Sequence, residues 1–463
     1  MPQKVFVNRT LNMRKIKYLG LDMDHTLVRY DCQAFEELAH HTMCQRLVTV
    51  KGYPEGVRGL KFDFDLAIRG LVIDKKNGNL LKVSRHGAIR ASSHGTKTID
   101  FAAQQKLYKS TYIDLSDTHN YVSIDTAFSI SVATLFAQLI DIKDGDGKET
   151  MPDYDTIAQD VIWTLDMAHR DGSLKGEVAK NLDKFIIRDP SVVAGLERYR
   201  QHDKKIFILT NSDYAYTKLL LDYAINPYLK NHKSWADLFE YVITLAQKPR
   251  FFYDNLRFLE VNPNNGTMTN FDEVLKRGIY QSGDAAKFTR DLGIEGDDIL
   301  YIGDHIYGDI LRLKKDCNWR TALVVEELGH ENECYKKVQP FSAEIRTLME
   351  RKEPLERALV DIISVKVETG KEADEADVAD LQNQITDIDK AISQLIKKQQ
   401  SHFNSHWGEI MRAGNEESYF AHQVDRFACI YMAKLGDLLE MSPRTYFRAG
   451  RRPLAHELAL GIG

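Results

Sequence analysis

Asp22 and Asp24 stand two residues apart at the end of an apolar run over residues 16–21, with Thr26 just behind them. A buried strand that ends in acid delivers carboxylates to a sheet edge, where they can serve as nucleophile, proton carrier or metal ligand. A bare pair of this kind is also what an ordinary strand followed by a turn looks like, so its companions decide. Lys205–Leu209, KIFIL, runs into Thr210, Asn211 and Ser212 and then into a predicted helix from Tyr214. Backbone N–H groups and the helix dipole favour an anion at such a place, although the same residues would equally cap the helix. Lys248 follows the short apolar run Tyr241–Thr244, and Asp304 and Asp309 follow another over 299–302, with a glycine between that permits close approach of backbone. Taken singly, a loop lysine and two loop acids are solvated charges. Chance is a poor account of Asp22, Asp24, Thr210, Lys248 and Asp304 falling in this order at four strand ends.

The elements that must position these residues alternate strand and helix, with a further strand over 322–325, which predicts a parallel sheet with helices on both faces. In such sheets ligands bind beyond the carboxyl ends of the strands. The 463 residues exceed one comfortable core and predict an inserted or additional domain. The insertion is expected between Asp31 and Asp183. It contains a predicted helix over 32–47, hairpins over 56–87 around Lys76-Asn77-Gly78, and helices over 121–140 and 154–168. The DGDG between those last two lacks the remaining ligand spacing of a calcium loop. Near the carboxyl end, Val378, Leu381, Ile385, Ile388, Ile392 and Leu395 step by three and four, and Ile345, Leu348, Leu355, Leu359 and Ile362 form a related stripe before the polar VETGKEADEAD. Two antiparallel helices packing on each other explain both stripes, and a dimer-forming coiled coil is the alternative.

A net charge of -5 gives no basic footprint for nucleic acid. Five cysteines, Cys32, Cys44, Cys317, Cys334 and Cys429, are odd in number and lack a CxxC pair, which suits reduced thiols in a cytoplasmic setting. No long apolar segment predicts secretion or membrane spanning.

DMDHTL, TNS, the lysine of QKP and GDHIYGD, in that order, resemble the four motifs of the haloacid dehalogenase superfamily of phosphatases. QKPRFF, YIGDHIYGDI, DMAHRDGSLK at 166–175 and FAHQVDRFACIYMA at 420–433 carry the likeness further, to the cytosolic purine 5'-nucleotidases that prefer IMP and GMP. The likeness spans residues 8–457 and is thinnest over 331–400. It implies a Rossmann-like core of residues 1–30 and 184–340 and an α+β cap over 31–183; the two apolar stripes place the helical hairpin over 341–400, and a final segment over 401–463 is expected to pack on the core.

The chemistry then follows. A phosphate monoester is dianionic, so a carboxylate can approach it only if a cation and donors neutralise the phosphoryl oxygens. Asp22, Asp304 and the backbone carbonyl of Asp24 are expected to hold magnesium through hard oxygen ligands. Asp22 is expected to attack phosphorus, and Asp24 to protonate the leaving oxygen and later deprotonate water. Thr210 and Lys248 would bind the transferring oxygens, with Asn211, Thr26 and Asp309 in support. The resemblance implicates Phe128, Asp166, His169 and Lys175 in holding the purine: a ring for stacking and a buried carboxylate for a 6-oxopurine N–H. Ile162, Ser129 and Arg170 depart from the family at positions near the base. The function expected is a magnesium-dependent purine nucleoside 5'-monophosphate phosphohydrolase, able also to pass phosphate to a nucleoside acceptor and self-associating as a dimer or tetramer. A sugar-phosphate phosphatase and a non-catalytic nucleotide-binding regulator are the alternatives.

Overall fold

The computed structural model describes residues 3–461 apart from 110, 146, 148 and 371–374. Its main sheet has ten strands: β1 (Val5–Val7), β2 (Tyr18–Leu21), β3 (Lys205–Leu209), β4 (Tyr241–Thr244), β5 (Phe258–Val261), β6 (Met268–Phe271), β7 (Gly278–Ser282), β8 (Ile299–Gly303), β9 (Arg320–Val324) and β10 (Ile430–Met432). The spatial order is β1-β10-β9-β8-β2-β3-β4-β7-β5-β6. From β10 through to β7 every pairing is parallel, while β1, β5 and β6 add antiparallel edges. This is an α/β arrangement with a largely parallel sheet and β2 in the middle.

Sequence explains why β2 sits there. All four residues of YLGL are buried, as a strand covered on both faces requires. Gly20 pairs in register with Phe207 on one side and Tyr301 on the other. A Cβ at Gly20 would lie 2.4 Å from the Phe207 ring and 2.7 Å from that of Tyr301, so only glycine lets both rings cross the central strand. The rings belong to a core that also holds Trp319, Phe288 and Phe252.

Between β2 and β3 the chain leaves at Arg29–Tyr30 and returns at Ile186–Ile187, and these two short strands pair antiparallel. The inserted stretch contains helix α1 (Cys32–Lys51), capped by the Asp31 side chain. A five-stranded antiparallel sheet follows, in the order Lys97–Thr98, Ile89–His94, Asn79–Val83, Leu71–Asp74, Tyr121–Ser123. Then come helices α2 (Ile130–Asp144) and α3 (Tyr154–Arg170). The predicted hairpin turns at Gly78, φ 70°, where Asp74 accepts from the N–H groups of Lys76 and Asn77. The helix expected over 121–140 is not continuous. Tyr121–Ser123 instead pairs with Leu71–Asp74, a turn over Ala127–Ser129 follows, and α2 starts at Ile130. An open sheet edge captured a segment whose apolar content fits either state. Asp146 and Lys148 of the DGDG segment lie outside the described residues.

Helix α4 (Tyr214–Ala224) follows β3 and is capped by Asp213. By their internal packing, residues 1–326 and 410–463 form one unit and 327–409 a second. The second unit pairs helix α5 (Leu328–Thr369) with α6 (Glu375–Gln400), tied by Lys352 to Asp389 at 2.7 Å, with Glu356 on the same helix also 2.9 Å from the lysine. The helix starts well before the 341 expected from the apolar stripe and runs through Pro340 and Pro354. Its opening turns bury Cys334 and Val338 against Phe403. Residues 371–374 of the predicted polar loop lie outside the described residues.

Candidate active site

Asp22 follows β2 directly, Thr210 follows β3, and Asp304 follows β8, so three neighbouring strands end on one point. Lys248 arrives from the loop after β4 and binds them together. Its Nζ lies 2.8 Å from Asp22 Oδ1 and 2.6 Å from Asp309 Oδ1, and it donates to the Tyr301 hydroxyl at 3.0 Å. That hydroxyl in turn donates to the Leu209 carbonyl at 3.0 Å. The Asn211 amide fixes the lysine's backbone from both sides, accepting from Lys248 N–H at 2.6 Å and donating to Lys248 O at 3.0 Å. Thr210 is buried, and its Oγ1 accepts from Ser212 N–H at 3.0 Å. Gly303 leaves room for Asp309: a Cβ there would meet Asp309 Oδ2 at 2.5 Å. Asp309 Oδ2 accepts from His305 N–H at 3.2 Å.

Asp24 has different company. The Tyr30 hydroxyl donates to its Oδ1 at 2.6 Å and the Ser212 hydroxyl to its Oδ2 at 2.7 Å. Tyr30 also shares a hydrogen bond with the Tyr216 hydroxyl of α4 at 3.0 Å. Thr26 is buried behind the carboxylates, and its hydroxyl has no partner among the described residues.

One ammonium faces three carboxylates in this space. Burial, with Asp309 and Asp304 adding to it against Lys248, raises the Asp22 carboxyl well above its ordinary value. Burial and Asp309 push Asp304 up to about 7. Lys248 loses by burial but gains more from Asp22 and Asp309, and its ammonium is held charged. Oxygens of Asp22, Asp304 and Asp309 lie within 4.8 Å of one another, and buried Asp304 Oδ2 has no hydrogen-bond partner among the described residues. An all-oxygen set with surplus negative charge and an orphaned oxygen fits a hard divalent cation. Asp309 thus joins Asp22 and Asp304 in the cluster. The Asp24 carboxylate is turned instead to Tyr30 and Ser212.

A cleft of about 950 Å³ opens from this cluster. Phe128, His169 and Lys175 line it, together with Tyr30, Phe35, Arg170 and Tyr216. The Phe128 ring stands edge-on to His25 at 4.1 Å, Phe35 at 5.1 Å and His169 at 5.7 Å. Lys175 Nζ lies 3.6 Å from Asp213 and 5.0 Å from the centre of the Tyr216 ring. Burial, and then the Lys175 charge, hold the His169 imidazole below its ordinary range. Asp166 takes no place in this wall: it is exposed on α3 and does not line the cleft. His169 faces the cleft, while Asp166, one turn earlier, points to solvent, so the buried carboxylate expected for a purine N–H is not found there.

Several participants have no role that the sequence assigns. Ser212 and Tyr301 lie within the TNS and YIGDHIYGDI motifs and Tyr30 lies outside them, and only the fold brings their hydroxyls to Asp24 and Lys248. Arg69 comes from the insertion, is 1% exposed, and donates to the Asp304 carbonyl at 3.1 Å. A buried arginine beside a metal-capable acid is legible only once both are in place.

A profile of the 5' nucleotidase family matches residues 5–459. A 5'-nucleotidase domain-containing protein of Dictyostelium discoideum is 25% identical over 466 residues, covering 99% of this chain and 76% of that protein. The 5'-nucleotidase domain-containing protein 2 of Rattus norvegicus is 26% identical over 477 residues, covering 99% and 81%. Among solved structures, a haloacid dehalogenase-like family hydrolase from Xanthomonas campestris aligns with a TM-score of 0.26 and 8% identity, covering 67% of this chain and 82% of that one. At that level of similarity the fold is read from the sheet itself.

Proposed function

The chain belongs to the 5' nucleotidase family, and from that premise we propose that it is a magnesium-dependent hydrolase of purine nucleoside 5'-monophosphates, of the IMP and GMP type, working through an aspartyl phosphate on Asp22. The observation that carries the reading is Lys248, held between Asp22 Oδ1 at 2.8 Å and Asp309 Oδ1 at 2.6 Å in a cleft that Phe128 also lines.

Magnesium bound by Asp22 and Asp304, with the Asp24 carbonyl or Asp309 completing the protein's share, would supply the positive charge that lets a carboxylate meet a dianionic phosphate. The rest is done by side chains. Lys248 Nζ and the Thr210–Ser212 turn bind phosphoryl oxygens, and Asn211 keeps the lysine in place. An Asp22 oxygen forms its bond to phosphorus as the bond from phosphorus to the 5'-oxygen breaks. Asp24, steered by Tyr30 and Ser212, gives that leaving oxygen a proton. Water then attacks the phosphorus of the aspartyl phosphate, Asp24 takes its proton, and Asp22 is released. A nucleoside hydroxyl in place of water receives the phosphoryl group. Phe128 offers the base an aromatic surface, and His169 and Lys175 supply polar contacts at the same wall.

No helix among the described residues is long and apolar enough to cross a membrane. None of the described cysteines is in a disulfide, which supports a reducing, cytoplasmic setting. Val360, Ile363 and Val367 are exposed along α5, which supports self-association as a dimer or tetramer.

The test is phosphate release with magnesium from IMP, GMP, AMP, UMP, CMP and several sugar phosphates, with a chelator control. Preference for IMP or GMP, lost on chelation, is the expected result. A base-independent profile would leave a general phosphatase, and no metal-dependent release would overturn the enzymatic reading.

A further inference from the structure

A second group of metal-capable side chains lies outside the chemistry described above. Cys32 Sγ is 3.6 Å from His25 Nδ1 and donates to Glu326 Oε2 at 3.0 Å. These three ligand atoms lie within 4.8 Å of one another. We propose that His25, Cys32 and Glu326 form a site for a thiophilic divalent cation, with zinc as its best-fitting occupant.

The donor set separates this site from the carboxylate cluster. Nitrogen, sulfur and one carboxylate oxygen suit zinc, whereas an all-oxygen set suits magnesium. The spacing agrees as well. Zinc bond lengths and a tetrahedral angle put neighbouring ligands about 3.3–3.6 Å apart. The thiol–imidazole edge of 3.6 Å and the thiol–carboxylate edge of 3.0 Å bracket that range, and a small opening of the thiol–carboxylate contact admits the ion. On binding, the Cys32 thiol gives its proton to solvent and the thiolate becomes the ligand, with water completing the shell.

The ligands are also held from outside. Arg29 donates to the other Glu326 oxygen at 2.9 Å, the kind of outer partner that orients a metal-binding carboxylate. The His25 ring stacks on Tyr30 at 4.8 Å with an 18° tilt, and its backbone sits at φ 54°. A non-glycine residue in that region is held by its surroundings. Cys32 and Glu326 are half-buried, so an ion can reach the site from solvent.

The experiment titrates the full chain with cobalt(II), a spectroscopic probe for zinc, in excess magnesium so that the carboxylate cluster is filled. The expected result is a sulfur-to-cobalt charge-transfer band that zinc abolishes, that Asp304→Asn retains and that Cys32→Ser lacks. Arg29→Gln, which keeps all three ligands, is expected to weaken binding about tenfold. No such band in the intact chain, or a band that persists in Cys32→Ser, overturns the proposal. A second measurement avoids any variant: zinc should slow alkylation of Cys32 by iodoacetamide, read by mass spectrometry of the peptide, and an unchanged rate also overturns it.

Discussion

At the strand-end side of the cleft Lys248 ties polar groups together across the sheet, reaching Asp22, Asp309 and Tyr301, and Asn211 holds Lys248. On the wall supplied by the insertion, Phe128 and Phe35 meet ring to ring, with His25 of the core against Phe128, and His169 adds one imidazole. The first region is charged and buried, and its geometry is set by neighbouring strands in fixed register. The second is apolar and adaptable, and its geometry depends on how helices and a turn pack. Removing a partner from a buried charge cluster strands the others, whereas trimming a ring removes contact area and leaves the reacting groups in place. One region should therefore govern the chemical step and the other the choice of leaving group.

Asp22→Asn gives the largest effect that follows. It keeps the shape but removes the nucleophile, and kcat should fall at least about a thousandfold for every substrate, with the fold intact by circular dichroism. Turnover near the original rate in that variant would break the comparison at its root. Asn211→Ala removes the side-chain amide that holds the Lys248 backbone from both sides, and it should cost about tenfold to a hundredfold in kcat with KM little changed. A change confined to KM would move Asn211 to the binding side. Phe128→Ala should do the reverse: loss of base stacking raises KM for IMP about tenfold while a small sugar phosphate is turned over as before. If both substrates lose kcat equally, the wall is part of the chemical machinery and the division fails.

The smallest effect concerns the packing behind the wall. Glu36 of α1 is buried and accepts from Ser131 N–H at 2.5 Å. Burial raises its carboxyl from 4.5 to about 7, against the pull of that hydrogen bond. The folded chain thus holds the Glu36 proton where the unfolded chain has released it, and Glu36 costs stability progressively as pH rises from 4.5 to about 7. Glu36→Gln keeps an acceptor for Ser131 and has no proton to lose. Relative to the parent it should be unchanged below that window and more stable above it, by roughly 3 kcal/mol at most. Melting temperatures of both chains across the window check this, and parallel curves would contradict it.

The same contrast explains what could be read from the sequence. Asp22, Thr210 and Asp304 each end a short apolar run, and β2, β3 and β8 are adjacent in register, so a local pattern was enough to bring them together. Lys248 carries the signal of its strand in the same way. The wall had no such marker. Asp166 and His169 are three residues apart, yet only His169 faces the cleft, because the rotation of α3 is set by packing that spacing leaves open. Tyr121–Ser123 reads as helix until an open sheet edge claims it. Arg69 and Tyr30 become visible only with the partners that neutralise or orient them.

The claim on which the rest depends is that Asp22 carries the phosphoryl group. Borohydride reduces an aspartyl phosphate to homoserine, so the chain should be quenched with borohydride during turnover of IMP and the peptide containing residue 22 read by mass spectrometry. The account predicts homoserine at position 22, appearing only with substrate and absent from Asp22→Asn. Steady turnover with position 22 left as aspartate, or with the modification at another carboxylate, would contradict it.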